Sequence, residues 1–383
     1  MKSIALVVQR YGMEVNGGAE LYARILAEKL RENYCVEVLT TCAVDYMTWE
    51  NHYPQGEAVL NGVKVRRFKV ERLRDPERFL KTPVDPVDPQ TVEAWVDEQG
   101  PYCPEFVDFI KSKKDDYDIF IFVTYLYYLT VRGICHVFEK AVLVPTAHDE
   151  PPIYFSKYKD IFKLPRAIVY NTFEEQSFVQ RLFANNDVLS DMTGIGIDIP
   201  DCVNPESFRE KYGLCDYLLY TGRIDESKNC PQMFMYFIEY KKRNPSDLKL
   251  VLMGKKVIEV PEHPDIISLG FVSDDERVDG MAGAKMLLLP SVFESLSLVV
   301  LESMAVGVPV VVNSGCEVAK GHCLRSNAGL FYTDYFEFEG CIDYLLNNEP
   351  VTGIMSRNAK KYIESNYRWD VVMEKIKNLI DKV

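Results

Sequence analysis

Short apolar runs alternate with amphipathic stretches along the whole chain. In the first half the runs fall at residues 4–8, 36–40, 63–70, 119–123, 142–145 and 168–170. They are rich in Val, Ile and Phe, so each predicts a strand. Between several of them lie helical patterns, as at 19–30, where Leu21, Ile25 and Leu30 recur at helical spacing. A second series runs through 217–220, 250–253, 266–269, 286–289 and 308–312, each run followed by a helical stretch. Near-continuous apolar strands separated by helices predict parallel sheets covered on both faces. The fold class is therefore α/β, with two doubly wound Rossmann-like domains facing across a cleft. Ligands of such sheets bind beyond the carboxyl ends of the strands, so the cleft is the natural site.

The boundaries follow from where this rhythm breaks. Residues 1–195 form the first domain, with an insertion at about 45–115 that is rich in Pro and acids (PVDPVDPQ). The glycines and prolines of 194–208 suit a linker, placed at 196–208. Residues 209–365 form the second domain, and 366–383 predict a terminal helix packing back on the first. A chain of 383 residues exceeds the size at which one core keeps growing, which agrees with two domains.

Charge narrows the function. The net charge is −13, spread as 23 Lys and Arg against 29 Asp and Glu up to Ile197 and 21 against 28 beyond it. A nucleic-acid binder would need basic surface, so that class is excluded. Ten cysteines lie scattered from Cys35 to Cys341 without a CxxC pair, and five histidines lie far apart. Free thiols in a reducing cytoplasm fit this pattern better than disulfides or a zinc site. The opening MKSIALVVQRYG reads as a first strand, and no run approaches a membrane span.

Within 287–312, LLLPSVFESLSLVVLESMAVGVPVVV, Glu294 falls in the loop after a strand and Glu302 inside a helix beginning near Leu298. Packing requires neither charge, and two solvated carboxylates are the plain alternative. Strand one ends in a loop carrying Asn16, Gly17 and Gly18, where paired glycines let backbone N–H groups approach a phosphate at a helix start, or simply make a tight turn. Glu20 complements the helix dipole. The stretch TGRIDESKN carries Gly222, Arg223 and Lys228, two cations able to neutralise a diphosphate. In VLVPTAHDE, His148 follows a buried strand; a lone histidine is more often structural than catalytic.

The ordered set of these motifs resembles the retaining family-4 glycosyltransferases (the bacterial group 1 type) over nearly the whole chain. It comprises GGAE (17–20), AHD (147–149), GID (196–198), FREKYGL (208–214), YTGRIDESKN (220–229), LGFVSDDE (269–276), PSVFESLSLVVLESMAVGVPVVV (290–312) and YRWDVV near the end. The resemblance implies the two-domain GT-B fold, with an acceptor-side domain first and a nucleotide-sugar donor domain second. It gives Glu302 the ribose hydroxyls, Glu294 the donor-sugar hydroxyls, and Arg223 and Lys228 the diphosphate. Backbone N–H groups of Gly17, Gly18 and the Leu296, Ser297, Leu298 segment join them, Val272 meets the base, and His148 orients the transferred sugar. No cofactor or metal is implied: UDP leaves as product and its phosphate takes the acceptor's proton on the same face.

Several residues depart from the pattern. Ser295 and Ser297 stand where relatives often have glycine, Tyr125–Tyr128 replace a frequent histidine, Asn171 and Thr172 replace a serine, and Lys255 replaces a glycine. Asp116-Tyr117-Asp118 spells DxD but precedes its strand and reads as solvated charge. The basic run Lys64, Arg66, Arg67, Lys69, Arg72 and Arg74 reads as the solvated face of a strand, with contact to a lipid diphosphate or anionic membrane left open. The expected function is transfer of a hexose, glucose first, from a UDP-sugar to a saccharide or lipid-linked saccharide in surface polysaccharide assembly. The expected location is the cytoplasm or the inner membrane face. A nucleotide-sugar hydrolase, an epimerase and a non-catalytic binding module are the alternatives.

Overall fold

The first apolar series assembles into one sheet and the second into another. The computed structural model describes residues 1–15, 17–200 and 202–383 and divides into two compact units, Met1–Ile195 with Val372–Val383, and Gly196–Val371. Asn16 of the first glycine turn lies outside the described residues. The first unit holds β1 (Ser3–Val7), β2 (Cys35–Thr41), β3 (Gly56–Leu60), β4 (Val63–Phe68), β5 (Ile119–Val123), β6 (Ala141–Val144), β7 (Ala167–Tyr170) and β8 (Leu189–Met192). Their order is β3-β4-β2-β1-β5-β6-β7-β8, parallel throughout except for β3 against β4. The second unit holds β9 (Tyr217–Thr221), β10 (Lys249–Met253), β11 (Ile266–Gly270), β12 (Met286–Leu289), β13 (Val310–Asn313) and β14 (Gly329–Tyr332). Their order is β11-β10-β9-β12-β13-β14, all parallel.

The apolar runs make central strands because both faces are covered. Every residue of β5 is at most 2% exposed, and every residue of β12 at most 3%. The edge strand β3 differs: its burial alternates, and it joins β4 through Asn61 and Gly62, both at positive φ (49° and 76°). An Asn-Gly pair matches the right-handed twist of a two-residue hairpin, and that local signal identifies a strand the apolar pattern missed.

Residues 45–115 contain β3, β4 and three helices, Pro76–Leu80, Pro89–Gln99 and Pro104–Lys113. The acidic, Pro-rich sequence encodes helix starts: Asp75 and Asp88 accept the first free backbone N–H groups, with Pro in the first turn. The predicted linker ends in a helix, Pro205–Tyr212, which is capped by Asn204 and runs on past residue 208. The helix Gly18–Leu30 buries Tyr22, Ala23, Leu26, Ala27 and Leu30, while Leu21 and Ile25 lie at the margins of that face. Small Ala23 and Ala27 let it approach the sheet closely, which shifts the buried stripe by one position from the expected one. The last segment belongs to the first unit, where Lys375 donates to the Met192 carbonyl (3.3 Å).

Each sheet has one point where the strand order reverses. In the second unit it lies between β9 and β12, so the loops leaving these neighbouring strands diverge and open a crevice. Those loops carry Arg223 and Lys228 on one side and Glu294 on the other.

Candidate functional site

The loop after β9 is built around Gly222 and Asp225. Gly222 sits at φ 145°, which side-chain-bearing residues rarely adopt, and donates to the Met253 carbonyl at 2.9 Å. Opposite it, a Cβ on Gly254 would meet the Gly222 carbonyl oxygen at 2.0 Å, so the loops after β9 and β10 pack backbone on backbone. Asp225 is 8% exposed and organises the remainder. It pairs with Arg223 and accepts from the Lys228 backbone N–H and the Ser227 hydroxyl, both at 2.9 Å. Arg223 also donates to Ser227 Oγ at 3.1 Å, and its side chain remains 45% exposed.

Across the crevice, Lys228 Nζ lies 2.6 Å from Glu294 Oε1. The loop from β12 then turns through Ser297, in the left-handed region at φ 60°, ψ 59°, and enters the helix Leu298–Val306. The Leu296 carbonyl is held from beneath by His322 Nε2 at 3.0 Å, and His322 Nδ1 meets the Tyr362 hydroxyl at 3.0 Å. A carbonyl only accepts, so Nε2 carries the proton and Nδ1 accepts from Tyr362. His322 is fully buried, and desolvation, with Arg325 second, drives its pKa down to about 3 and keeps it neutral. The backbone of 296–298 therefore rests on a fixed, uncharged support.

Glu302, one helical turn in, pairs its Oε2 with Arg277 Nη1 at 2.6 Å and keeps about a third of its side chain exposed. Burial raises its pKa; Arg277 opposes the shift. Arg277 lies on the helix Asp274–Gly283, which starts from Val272 through a capping box between Ser273 and Glu276. Val272 itself is half-buried and follows Gly270 at φ 68° and an exposed Phe271. One unit thus brings together Gly222, Arg223, Lys228, Glu294, Leu296, Ser297, Leu298, Glu302 and Val272, all at the carboxyl edge of one sheet.

Gly17, Gly18 and His148 belong to the other unit. Gly17 is the residue before the helix Gly18–Leu30, and a Cβ there would fall 2.1 Å from Glu20 Oε2. Glu20 does more than complement the helix dipole. It is buried, accepts from Gln9 Nε2 at 2.8 Å, and takes Arg10 Nε and Nη2 at 2.9 and 2.6 Å. Those bonds tie the loop after β1 to the first helical turn. His148, 37% exposed, faces Glu150 at 3.6 Å. Its loop is anchored by Glu175, which accepts the N–H groups of Ala147 and Asn171, both at 2.6 Å, and whose pKa burial pushes up to about 8.

Other expectations resolve individually. Tyr125 and Tyr128 are core residues, 1% and 5% exposed. Asp149 accepts from the Tyr154 hydroxyl and Glu150 from that of Tyr125. Asp118 accepts from the Ser3 N–H at 2.7 Å, on the amino edge of the first sheet. The basic run is not one solvated face. Lys64 and Arg66 pair with Glu37 and Glu57, and Arg72 with Glu98, whereas Arg67 and Arg74 turn inward and donate to backbone carbonyls. All ten cysteines are free. Among the described residues no three His, Cys, Asp or Glu side chains cluster as metal ligands, and no helix is long and apolar enough to cross a membrane.

Residues 215–348, which contain this whole edge, match the family model described as "Glycosyl transferases group 1". That stretch is similar to the group 1 glycosyltransferases, and the chain has the GT-B fold. It is 24% identical over 188 residues to an uncharacterized glycosyltransferase of Methanocaldococcus jannaschii; the match spans 45% of this chain and about half, 47%, of that relative. Two solved structures share the fold along its whole length. Sucrose-phosphate synthase from Thermosynechococcus elongatus superposes with a TM-score of 0.74 at 15% identity, covering 100% of this chain and 99% of the other. HepE from Anabaena, solved in complex with UDP, gives 0.73 at 16% identity and 100% of both chains.

Sequence reasoning about this site missed three supports. Arg277 and Asp225 carry ordinary surface charges in a sequence, and only the docking of their elements gives them partners. His322 has no flanking motif at all. The one available signal was SDDE at 273–276, a capping box that fixes the helix start and so the face on which Arg277 projects.

Proposed function

We propose that this chain is a retaining glycosyltransferase that moves a hexose, glucose first, from a UDP-sugar to a saccharide or lipid-linked saccharide acceptor. The observation that carries the reading is the set of charged side chains around the β9–β12 switch point. Arg223 and Lys228 face Glu294 there, beside a helix start and Glu302. The cations suit a diphosphate, and they stabilise the charge that grows on it as the glycosidic bond breaks. The N–H groups at the start of the Leu298–Val306 helix add to that stabilisation. Glu294 and Glu302 suit vicinal hydroxyls of sugar and ribose, because a carboxylate accepts two hydroxyl protons side by side. Val272 contacts the base. UDP and glucose are favoured because HepE, which shares the fold, was solved with UDP-glucose.

In this reading the donor phosphate accepts the acceptor's proton on the face from which it departs, without a protein nucleophile. The enzyme contributes positioning and fixed charge. Transfer is metal-independent, takes place on the cytoplasmic side, and serves surface polysaccharide or glycolipid assembly.

A thermal-shift panel of UDP, GDP and ADP with their glucose conjugates tests the donor, since a ligand of the native state raises stability with occupancy. UDP and UDP-glucose should raise the melting temperature most. Labelled UDP-glucose offered with saccharide and lipid-linked acceptors should yield a glycosylated product with the α-linkage of the donor; release of free glucose alone would identify a hydrolase instead. Lys228→Ala and Glu302→Ala should each abolish measurable transfer, and unchanged donor affinity in both would refute the site.

A further inference from the structure

Arg277 makes a contact that the site described above does not explain. It projects from the Asp274–Gly283 helix onto the helix carrying Glu302, and its Nη1 takes Glu302 Oε2 at 2.6 Å, while its Nε faces Asp274 at 3.6 Å. Both side chains are mostly covered, 26% and 33% exposed. A long guanidinium on a surface helix has many rotamers, and holding one against a neighbouring carboxylate costs side-chain entropy. The contact fixes which Glu302 oxygen is engaged. Oε2 is committed to Arg277, and no hydrogen bond to Oε1 occurs among the described residues.

The helix that carries Arg277 begins just after Val272, the residue proposed for the nucleobase. Its first turn is locked by the Ser273–Glu276 capping box, immediately after Phe271 and Val272. One rigid element therefore links the residue proposed for the base to the carboxylate proposed for the ribose.

We infer that Arg277 is a positioning residue that orients Glu302 so that its remaining oxygen accepts the ribose hydroxyls, making the site selective for ribonucleotides. The inference rests on the reading of Glu302 as the ribose ligand. Without Arg277 the carboxylate rotates freely and loses its fixed geometry toward the diol. The phosphate and base contacts come from other residues and persist.

The test uses the full chain and the pair UDP and 2′,3′-dideoxy-UDP, with affinities measured by calorimetry. The wild type should prefer UDP by roughly ten- to a hundredfold, the size of charge-assisted hydrogen bonds to a carboxylate. Glu302→Gln should bring that ratio close to one, and Arg277→Met should lower it about as far while binding dideoxy-UDP as the wild type does. Arg277→Lys should recover part of the ratio. A general structural role would weaken both ligands equally, and that outcome overturns the inference. If Glu302→Gln lowers the ratio and Arg277→Met leaves it intact, the positioning role falls while the ribose reading stands. If the wild type shows no preference, or Glu302→Gln does not alter it, the ribose reading fails and takes the inference with it. Thermal melts separate folding defects from binding defects in every variant.

Discussion

Replacing Glu294 with Gln should tighten UDP and impair UDP-glucose in the same protein. Lys228 Nζ sits 2.6 Å from Glu294 Oε1, so the ammonium already faces an anion before any ligand arrives. A phosphate oxygen on the other side of that ammonium would lie about 2.8 Å from it, which brings phosphate and carboxylate to roughly 5 Å. The pair is partly covered, 30% and 16% exposed. At an effective dielectric of roughly 40 to 80, one unit charge at that distance repels another by about 0.8 to 1.7 kcal/mol, which is roughly four- to seventeenfold in Kd. Glu294→Gln removes the repulsion and keeps the shape, so UDP should bind more tightly by about that factor. UDP-glucose loses its charged hydroxyl acceptor at the same time and should gain nothing. Transfer should fall by at least about tenfold, as expected for one lost charge-assisted hydrogen bond. Calorimetry with both ligands reads the two effects apart. A weaker UDP complex, or equal changes for both ligands, would show that Glu294 faces neither group as argued.

Further outcomes follow from the supports. His322, held neutral with its pKa near 3 against 6.5 in the unfolded chain, contributes stability that is full above pH 6.5 and drains as pH falls toward 3. The loss should reach about 4 to 5 kcal/mol, and His322→Gln should flatten that limb of the urea-denaturation profile; parallel curves for the two proteins would refute the assignment. Gly254→Ala forces a Cβ to within 2.0 Å of the Gly222 carbonyl at φ 132°, so it should destabilise by roughly 2 to 4 kcal/mol in denaturant titration and weaken UDP binding. Asp225→Ala frees the loop after β9 and should weaken UDP by roughly tenfold or more in calorimetry, whereas Ser227→Ala removes a single bond and should cost less.

The strands were legible where burial on both faces makes them uniformly apolar, as in β5 and β12, because nothing but a covered strand tolerates such runs. β3 and β8 were not, since edge strands alternate and mix polar residues with apolar ones; Asn61-Gly62 was the overlooked mark of one of them. The charged residues of the second unit were legible because the glutamates eight positions apart and the Arg–Lys loop are local patterns tied to strand ends. Their partners were not. Arg277 is 25 positions from Glu302 and His322 is 26 from Leu296, so each contact exists only after helices dock. The basic run misled for the same reason: alternation gives two faces, but only the fold tells that Arg67 and Arg74 turn inward to staple loops.

The charges of the candidate site are balanced before any ligand binds: Arg223 with Asp225, Lys228 with Glu294, Arg277 with Glu302. Three cations against three carboxylates leave no net charge, yet donors remain. A guanidinium has five N–H groups and an ammonium three. Arg223 commits itself to Asp225 and Ser227, and Lys228 to Glu294, so both retain N–H groups for a phosphate without breaking a pair. An unpaired cluster of cations in a chain of net charge −13 would attract any passing anion, or be drawn into the protein's own acidic surface. Paired cations bind an anion only when it brings enough oxygens, correctly spaced, to use the leftover donors. A diphosphate meets that requirement and a monophosphate does not, so UDP should bind far more tightly than UMP, with a difference that shrinks when Asp225 is neutralised. Equal binding of UMP and UDP would mean that the diphosphate does not lie between these loops.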